Sequence, residues 1–264
     1  MNILISNDDG MTAPGIKLLC EALSGIKGAR LYVCVPESER SCIGHGITVL
    51  KDLYLEDYPA DKLGSSVVWA AKCSGTPADC IRLALCVLKE QEIRIDLVCA
   101  GINNGSNTGS DINYSGTIGA AREAVLDGFP AIAFSSSKGT DCLDNFRIIV
   151  PEIVKRFAGR IPEKTILNVN APNIPWNSVK GYRTANLAHL YYPPIYTLMD
   201  DGKKPGEALS SRRRYAFASF TVENKSEEQE NDDKLMSDGY ITVSLIPLLQ
   251  DAGSMNSLVD SLLP

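Results

Sequence analysis

Short apolar segments of strand composition alternate with amphipathic segments of helical spacing through residues 2–169. In residues 13–24, for example, Ile16, Leu19 and Leu23 recur at the spacing of one helix face. The same pattern predicts strands at 2–6, 30–36, 67–72, 95–100, 130–134 and 165–169, and helices at 13–24, 76–89, 117–127 and 144–158. Alternation over short connections predicts an α/β protein whose mainly parallel sheet is covered by helices on both faces.

Beyond the last of these strands, proline-rich, aromatic and charged segments replace the alternation. We therefore predict a core over residues 1–175 and a C-terminal extension over residues 176–264. The extension has few core-forming residues, which favours an extended arm with antiparallel strands that grips a second subunit. Residues 239–245 have strand composition and predict a closing strand, whereas the acidic run 223–238 is predicted to be a solvated loop.

Composition narrows the class of protein. The chain has 264 residues and a net charge of −6. Proteins that wrap duplex nucleic acid are usually basic, so this balance disfavours such a partner but still allows a small anionic substrate. No apolar run approaches the ~20 residues that span a bilayer, and the eight cysteines mostly lie in apolar runs. We therefore expect reduced core thiols in a cytoplasmic protein with no membrane partner.

Polar residues follow several of the predicted strands, at the edge where an open parallel sheet binds its ligands. The first strand is followed by Asp8 and Asp9, the second by a segment with His45 between glycines, and the fourth by the amide-rich stretch 100–121. Two carboxylates with neutral Ser and Asn oxygens suit Mg²⁺, Mn²⁺ or Ca²⁺ better than Zn²⁺. The alternative for Asn-Asp-Asp-Gly is an ordinary turn.

The sequence Ser115-Gly116-Thr117 opens a predicted helix. Backbone N–H groups, hydroxyls and the positive end of a helix dipole make such a turn an anion site. An anion site beside a hard-cation site suggests phosphoryl chemistry. The alternative for the glycine-rich stretch that precedes it is a mobile loop.

Several segments, in order along the chain, resemble the SurE (survival protein E) family of metal-dependent 5′-nucleotidases. They are NDDG at 7–10, PESERSCIGHGIT at 36–48, CSGTPADC at 73–80, CAGINNGSNTGSDINYSGTIGAAREA at 99–124 and LNVNAP at 167–172. The late segment GYITVSLIPL at 239–248 resembles the closing strand of that family. Long segments in the right order are a far more specific signal than one short motif.

The resemblance implies a Rossmann-like three-layer fold and an acid phosphatase-like hydrolase that acts on nucleoside 5′-monophosphates. It implies one divalent cation per subunit, Mg²⁺ or Mn²⁺, with Ca²⁺ able to occupy the site in crystals. The implied ligands are Asp8, Asp9, Ser41 and Asn103, and the implied phosphate-binding residues are Asn107, Ser115, Gly116 and Thr117. It also implies homodimers or homotetramers formed through swapped C-terminal arms.

In the mechanism that follows, Asp8 or Asp9 orients a water that attacks the phosphorus, or one of the two attacks directly. His45 is the candidate general acid for the leaving nucleoside. Two other classes remain open. One is a nucleotide- or metal-sensing binding module of the same fold without turnover, and the other is a transferase that uses the phosphate turn.

Overall fold

The computed structural model describes residues 1–199, 214–217, 222–226 and 230–249. Its strands are β1 (Asn2–Ser6), β2 (Arg30–Pro36), β3 (Leu55–Asp57), β4 (Val67–Cys73), β5 (Leu97–Asn104), β6 (Ala131–Ser136), β7 (Thr165–Ala171), β8 (Tyr182–Thr184), β9 (Leu190–Tyr191), β10 (Tyr196–Leu198), β11 (Tyr215–Phe217), β12 (Glu223–Asn224) and β13 (Ile241–Pro247). Its α-helices are α1 (Pro14–Ser24), α2 (Pro77–Glu90), α3 (Gly116–Leu126), α4 (Phe146–Phe157) and α5 (Asp232–Ser237). Short 3₁₀ turns lie at Ala60–Lys62, Gly109–Asn113, Leu143–Asn145 and Trp176–Ser178.

The main sheet has the strand order β3-β4-β2-β1-β5-β6-β7-β13-β8. Strands β4, β2, β1, β5, β6 and β7 are parallel, while β3 and β13 run antiparallel to β4 and β7. The chain leaves β1 toward β2 and β4 and then returns to place β5 on its other side. The β1/β5 boundary is therefore the topological switch point, where such sheets bind ligands.

Alternate side chains of β1 pack on opposite faces of the sheet, because successive residues of a strand point in opposite directions. Ile3 and Ile5 belong to the buried cluster that includes α1 and α4. Leu4 belongs to the cluster on the other face, with α2 and α3. The three layers confirm the predicted α/β fold with a mainly parallel sheet.

Helix α2 begins where its sequence signals predict. Thr76 is the N-cap, Pro77 occupies the first turn, and the Thr76 hydroxyl accepts a hydrogen bond from Asp79 N. The Asp79 carboxylate accepts one in return from Thr76 N, at 2.9 Å, which completes a capping box. This reciprocal cap satisfies two main-chain donors that a helix start leaves open.

The prediction of a solvated loop at 223–238 is wrong for residues 232–237, which form α5. The Asp232 side chain is completely buried rather than solvated. Its carboxylate accepts hydrogen bonds from Gly109 N and Ala188 N, both at 2.8 Å. The acidic residue is thus buried because it satisfies main-chain donors from two other segments.

Residues beyond β7 contribute to the main sheet as well as to smaller pairings. Strand β13 lies between β7 and β8, and β9 pairs with β12 and β10 with β11. The predicted swapped arm also includes 200–213, 218–221, 227–229 and 250–264, which lie outside the described residues. Its role in assembly stays a prediction.

Five of the eight cysteines are buried, as the apolar runs around them predict, and all eight are unbridged. Cys42 and Cys86 are exposed, contrary to the expectation of core thiols, and Cys142 is half-buried. Cys42 lies in the loop after β2, and Cys86 lies on the outer face of α2. None of the helices in the described part of the chain is long and apolar enough to cross a membrane.

Candidate active site

The turn after β1 is shaped by Asn7, which leaves the two carboxylates beside it available. The buried Asn7 side chain accepts a hydrogen bond from Gly10 N at 3.1 Å and donates one to Gly10 O at 3.0 Å. Gly10 has a φ of +87°, a left-handed conformation that glycine adopts without strain. Asn7 and Gly10 therefore have structural roles, and the catalytic role of Asp8 and Asp9 stays a prediction.

Asp8 lies against the first turn of α3. The Thr117 hydroxyl donates a hydrogen bond of 2.5 Å to Asp8 Oδ1. A Cβ atom added to Gly116 would lie 2.8 Å from Asp8 Cβ, so only glycine lets the aspartate approach this closely. Burial raises the pKa of Asp8 to about 6, although the hydrogen bonds from Thr117 act in the opposite direction.

Asp9 is less buried than Asp8 and faces the ends of β5 and of the loop after β2. Burial raises its pKa, and the negative charge of Glu39 adds to that rise. The main-chain N–H of Asn104 donates a hydrogen bond that lowers it. The structure thus brings Asp8 and Asp9 to the β1/β5 switch point.

The other two predicted metal ligands reach the same edge from different strands. Arg40 N donates a hydrogen bond of 2.7 Å to Asp8 O and ties the loop with Ser41 to the β1 turn. The exposed Ser41 hydroxyl donates to Glu39 Oε1 at 2.6 Å. Asn103, near the end of β5, donates from Nδ2 to Gly105 O at 2.7 Å. The side-chain oxygens of Ser41 and Asn103 therefore remain available as uncharged metal ligands.

The donor set fits a hard divalent cation. Within the described ranges, neither Asp8 nor Asp9 pairs with a basic side chain, so two neighbouring carboxylates lack a protein counter-charge. The described residues contain no group of three or more His, Cys, Asp and Glu side chains placed to hold a metal. A cation here would rely on two carboxylates, neutral side-chain oxygens and water, a combination typical of Mg²⁺.

The first turn of α3 has the features of an anion site. The Ser115 hydroxyl caps the helix by accepting from Ile118 N at 3.1 Å. The first turn contains no acidic residue, so no carboxylate of its own neutralises the helix dipole. The nearest carboxylate comes from β1, in Asp8. The predicted phosphate turn and the predicted cation site are therefore contiguous.

Asn107 is buried behind this turn in a cluster of amides. Its main-chain N–H donates to Asn170 Oδ1 at 2.8 Å, and its carbonyl accepts from Asn168 Nδ2 at 2.8 Å. Its side-chain Nδ2 donates to Ser135 Oγ at 2.8 Å. These contacts fix the position of Asn107, and its predicted contact with phosphate stays a prediction.

His45 lies beside α3 and is engaged by an acidic residue that the sequence analysis did not single out. His45 Nε2 lies 2.7 Å from Glu123 Oε2, and Arg82 donates to Glu123 Oε1 at 2.6 Å. The Glu123 side chain is almost completely buried. Glu123 lies seven residues after Gly116, which places the two residues on the same face of α3. This spacing could have identified Glu123 from the sequence. The role of His45 as a general acid stays a prediction.

Asp79 is a second residue whose wider role was missed. Besides capping α2, its carboxylate accepts hydrogen bonds from Thr48 N at 2.9 Å and from the Thr48 hydroxyl at 2.7 Å. The Thr76 hydroxyl donates to Gly46 O at 2.7 Å. The start of α2 therefore anchors the far end of the loop that carries Ser41.

Fold and site together define an α/β protein with a hard-oxygen donor set beside a helix N-terminus at the switch point. A family model described as "Survival protein SurE" matches residues 3–193. The chain belongs to the SurE family, as the sequence motifs predict.

Two relatives and one solved structure illustrate the similarity. A protein from a Synechococcus species named "5′-nucleotidase SurE" is 36% identical over 253 residues, which cover 95% of this chain and 92% of the relative. A Brevibacillus brevis protein of the same name is 40% identical over 211 residues, or 76% and 78% of the two chains. The crystal structure of the SurE protein from Aquifex aeolicus has a TM-score of 0.77 at 32% identity and covers 97% of this chain and 98% of that one.

Proposed function

We propose that this chain is a 5′-nucleotidase that hydrolyses nucleoside 5′-monophosphates to nucleoside and phosphate with a divalent cation. The observation that carries the proposal is the approach of Asp8 to the first turn of α3 through Gly116 and Thr117. A phosphomonoester needs a cation and an anion site side by side, and this junction supplies both. The curated relatives carry the name of this activity.

Asp8, Asp9, Ser41 and Asn103 are the residues that would hold the cation, and Mg²⁺ and Mn²⁺ are the ions that suit these oxygens. When bound, the cation polarises the phosphoryl group and stabilises charge in the transition state. Asn107 and the Ser115-Gly116-Thr117 turn bind the remaining phosphoryl oxygens.

The chain's own carboxylates direct the attack on phosphorus. Asp8 or Asp9 orients a water and takes up one of its protons, while the water oxygen bonds to phosphorus and the bond to the nucleoside 5′-oxygen breaks. The 5′-oxygen then takes up a proton, for which His45 is the candidate donor. In the rival route one aspartate attacks and an aspartyl-phosphate is then hydrolysed. Isolation of a phosphorylated aspartate from a quenched reaction would exclude the direct water route.

The assembly and location of the protein are part of the same proposal. We propose a homodimer or homotetramer, because the family resemblance implies assembly through swapped C-terminal arms and the composition of the chain changes after residue 175. We also propose a cytoplasmic location, since nucleotides and reduced thiols are found there. Light scattering of the purified chain gives the number of subunits, and a monomer would contradict the proposed assembly.

Replacing Asp8 with asparagine tests the proposed site directly. Phosphate release from AMP, GMP and CMP is measured with Mn²⁺ and again with EDTA. We expect wild-type release to require the metal and kcat/KM to fall by at least ~100-fold in Asp8→Asn, because one anionic ligand is lost. The matched control is Asp144→Asn, an exposed aspartate of the Leu143–Asn145 turn.

Two outcomes would contradict the proposal. Near-normal turnover in Asp8→Asn would remove Asp8 from the cation site. Tight nucleotide binding by the wild type without metal-dependent phosphate release would instead favour the sensing module, which needs recognition but no turnover.

A further inference from the structure

An exposed tyrosine stands next to the phosphate turn. Tyr114 directly precedes Ser115, and 57% of its surface is exposed. Among the described residues, its ring stacks on no other aromatic or cationic group, and its hydroxyl has no hydrogen-bond partner. By contrast, the exposed ring of Tyr191 contacts the ammonium group of Lys225 at 3.6 Å. Tyr114 therefore presents an unpartnered aromatic face at the edge of the site.

The backbone beneath Tyr114 is held on several sides. Its N–H donates to Asp111 O at 2.9 Å, and its carbonyl accepts from Gly44 N at 2.7 Å. The preceding 3₁₀ turn is tied to α5 because Gly109 N donates to the buried Asp232 carboxylate at 2.8 Å. A backbone held in this way fixes the start of the side chain, so a ligand that stacks on the ring has to order only the side-chain torsions of Tyr114.

The segment that bonds to the Tyr114 carbonyl carries an exposed apolar side chain. Ile43, whose neighbour Gly44 bonds to the Tyr114 carbonyl, is itself 42% exposed. Ile43 belongs to the loop that carries Ser41 and lies two positions after it. Exposed apolar groups beside a concave polar site commonly mark the part of a ligand that carries no charge.

We infer that Tyr114 stacks on the nucleobase of a 5′-mononucleotide whose phosphate lies at the Ser115-Gly116-Thr117 turn. The inference rests on the proposed function and adds the element that distinguishes a nucleotide from other phosphomonoesters. In a 5′-mononucleotide the ribose separates the base from the phosphate, and here one residue's backbone and Cβ separate the ring from the turn. Stacking is tolerant of base identity because every base has a π-face, so purine and pyrimidine monophosphates should both be substrates.

The test compares AMP with ribose 5-phosphate, which has the same sugar and phosphate but no base. In Tyr114→Ala we expect the ratio of kcat/KM for AMP to that for ribose 5-phosphate to fall about tenfold, mainly through KM for AMP. Tyr114→Phe keeps the ring and should restore most of the lost preference. Tyr54→Ala, which truncates a tyrosine that is 69% exposed and is not among the predicted site residues, is the matched control.

Product inhibition gives a second measure that needs no turnover of ribose 5-phosphate. The inhibition constant of adenosine should rise about tenfold in Tyr114→Ala, while that of inorganic phosphate should stay within about twofold of wild type. Light scattering of each variant shows whether the assembly is intact.

The outcomes separate this inference from the proposed function. If the wild type hydrolyses AMP but Tyr114→Ala leaves both the substrate ratio and adenosine inhibition unchanged, the inference alone is overturned. An equal loss on both substrates, with or without a change in assembly, also overturns it, because Tyr114 would then support the site or a subunit contact. No metal-dependent release from any ester by the wild type would overturn both.

Discussion

The sequence Ser-Gly-Thr occurs at the start of both α2 and α3, yet the carboxylate beside each first turn has a different source. In α2 the carboxylate of Asp79, in the first turn, bonds back to the cap residue Thr76. In α3 the first turn has no acidic residue, and the aspartate beside it comes from the end of β1. Both helices have a hydroxyl cap, but the carboxylate at the start of α2 belongs to that helix, whereas the one at the start of α3 comes from a separate segment.

The glycine of each turn makes room for that carboxylate. A Cβ atom on Gly75 would lie 2.5 Å from Asp79 Oδ2, and one on Gly116 would lie 2.9 Å from Asp8 Oδ2. The same local sequence therefore admits a carboxylate in both places. The element that supplies the carboxylate distinguishes the two turns. Asp79 belongs to the helix that it caps, whereas Asp8 belongs to the switch point of the sheet.

The largest effect should follow from adding a side-chain atom at Gly116, where Asp8 approaches the start of α3. In Gly116→Ala the added Cβ must displace Asp8, whose Cβ and Oδ2 lie within 3 Å of it. Displacing a catalytic group by about 1 Å can lower turnover ~100-fold, so we expect kcat/KM for AMP to fall at least that far. The free energy of unfolding should fall by only about 1–3 kcal/mol. Steady-state kinetics and urea denaturation measure the two effects.

Gly25→Ala is the control for this substitution. Gly25 ends α1 with a φ of −69°, and its closest contact for an added Cβ is Ala22 O at 3.3 Å. We expect activity within about twofold of wild type, as for most substitutions away from a site. If Gly116→Ala itself retained activity near the wild-type value, the close approach of Asp8 to α3 would not be required for turnover.

The corresponding change at α2 should act on stability first. The Asp79 carboxylate accepts hydrogen bonds from Thr48 N, the Thr48 hydroxyl and Thr76 N. Asp79→Asn replaces one of the two acceptor oxygens with an amide group, which donates hydrogen bonds and cannot accept them. We expect the free energy of unfolding to fall by about 2–3 kcal/mol, because three partly buried donors lose a charged acceptor. Activity should fall less than in Gly116→Ala, since the substitution reaches Ser41 only through its loop.

Chemical denaturation and kinetics of Asp79→Asn, beside Asp144→Asn, test this expectation. Asp144 is 83% exposed and pairs with Arg147 within one helical turn, so its replacement should cost less than about 1 kcal/mol. A larger loss of activity in Asp79→Asn than in Gly116→Ala would reverse the division of roles between the two helix starts.

What the sequence predicts well is what neighbours along the chain determine. Thr76, Pro77 and Asp79 lie within four positions, and the capping box forms as they indicate. The strand and helix periods predict the order of elements, and the order of elements predicts which strand ends share an edge. The sequence alone therefore places Asp8 and the first turn of α3 at the same edge of the sheet.

What it predicts poorly depends on partners far apart in the chain. Asp232 is separated by 123 positions from Gly109, and His45 by 78 positions from Glu123. An acidic run indicates solvation when only its composition is considered, and the donors that bury one of its members are absent from the local pattern. The wrong assignment of residues 232–237 arose in this way.

The smallest effects should come from removing the two cap hydroxyls, and here the contrast between the helices is most direct. Ser115→Ala should lower the free energy of unfolding by about 1 kcal/mol, because it removes one cap bond to a main-chain N–H. Thr76→Ala should lower it by about 2 kcal/mol, because it removes such a cap bond and also the hydrogen bond from the hydroxyl to Gly46 O. Only Ser115 borders the predicted phosphate, so kcat/KM should fall more in Ser115→Ala. Equal activities of the two variants would mean that both turns are merely helix caps, and the anion site would have to lie elsewhere.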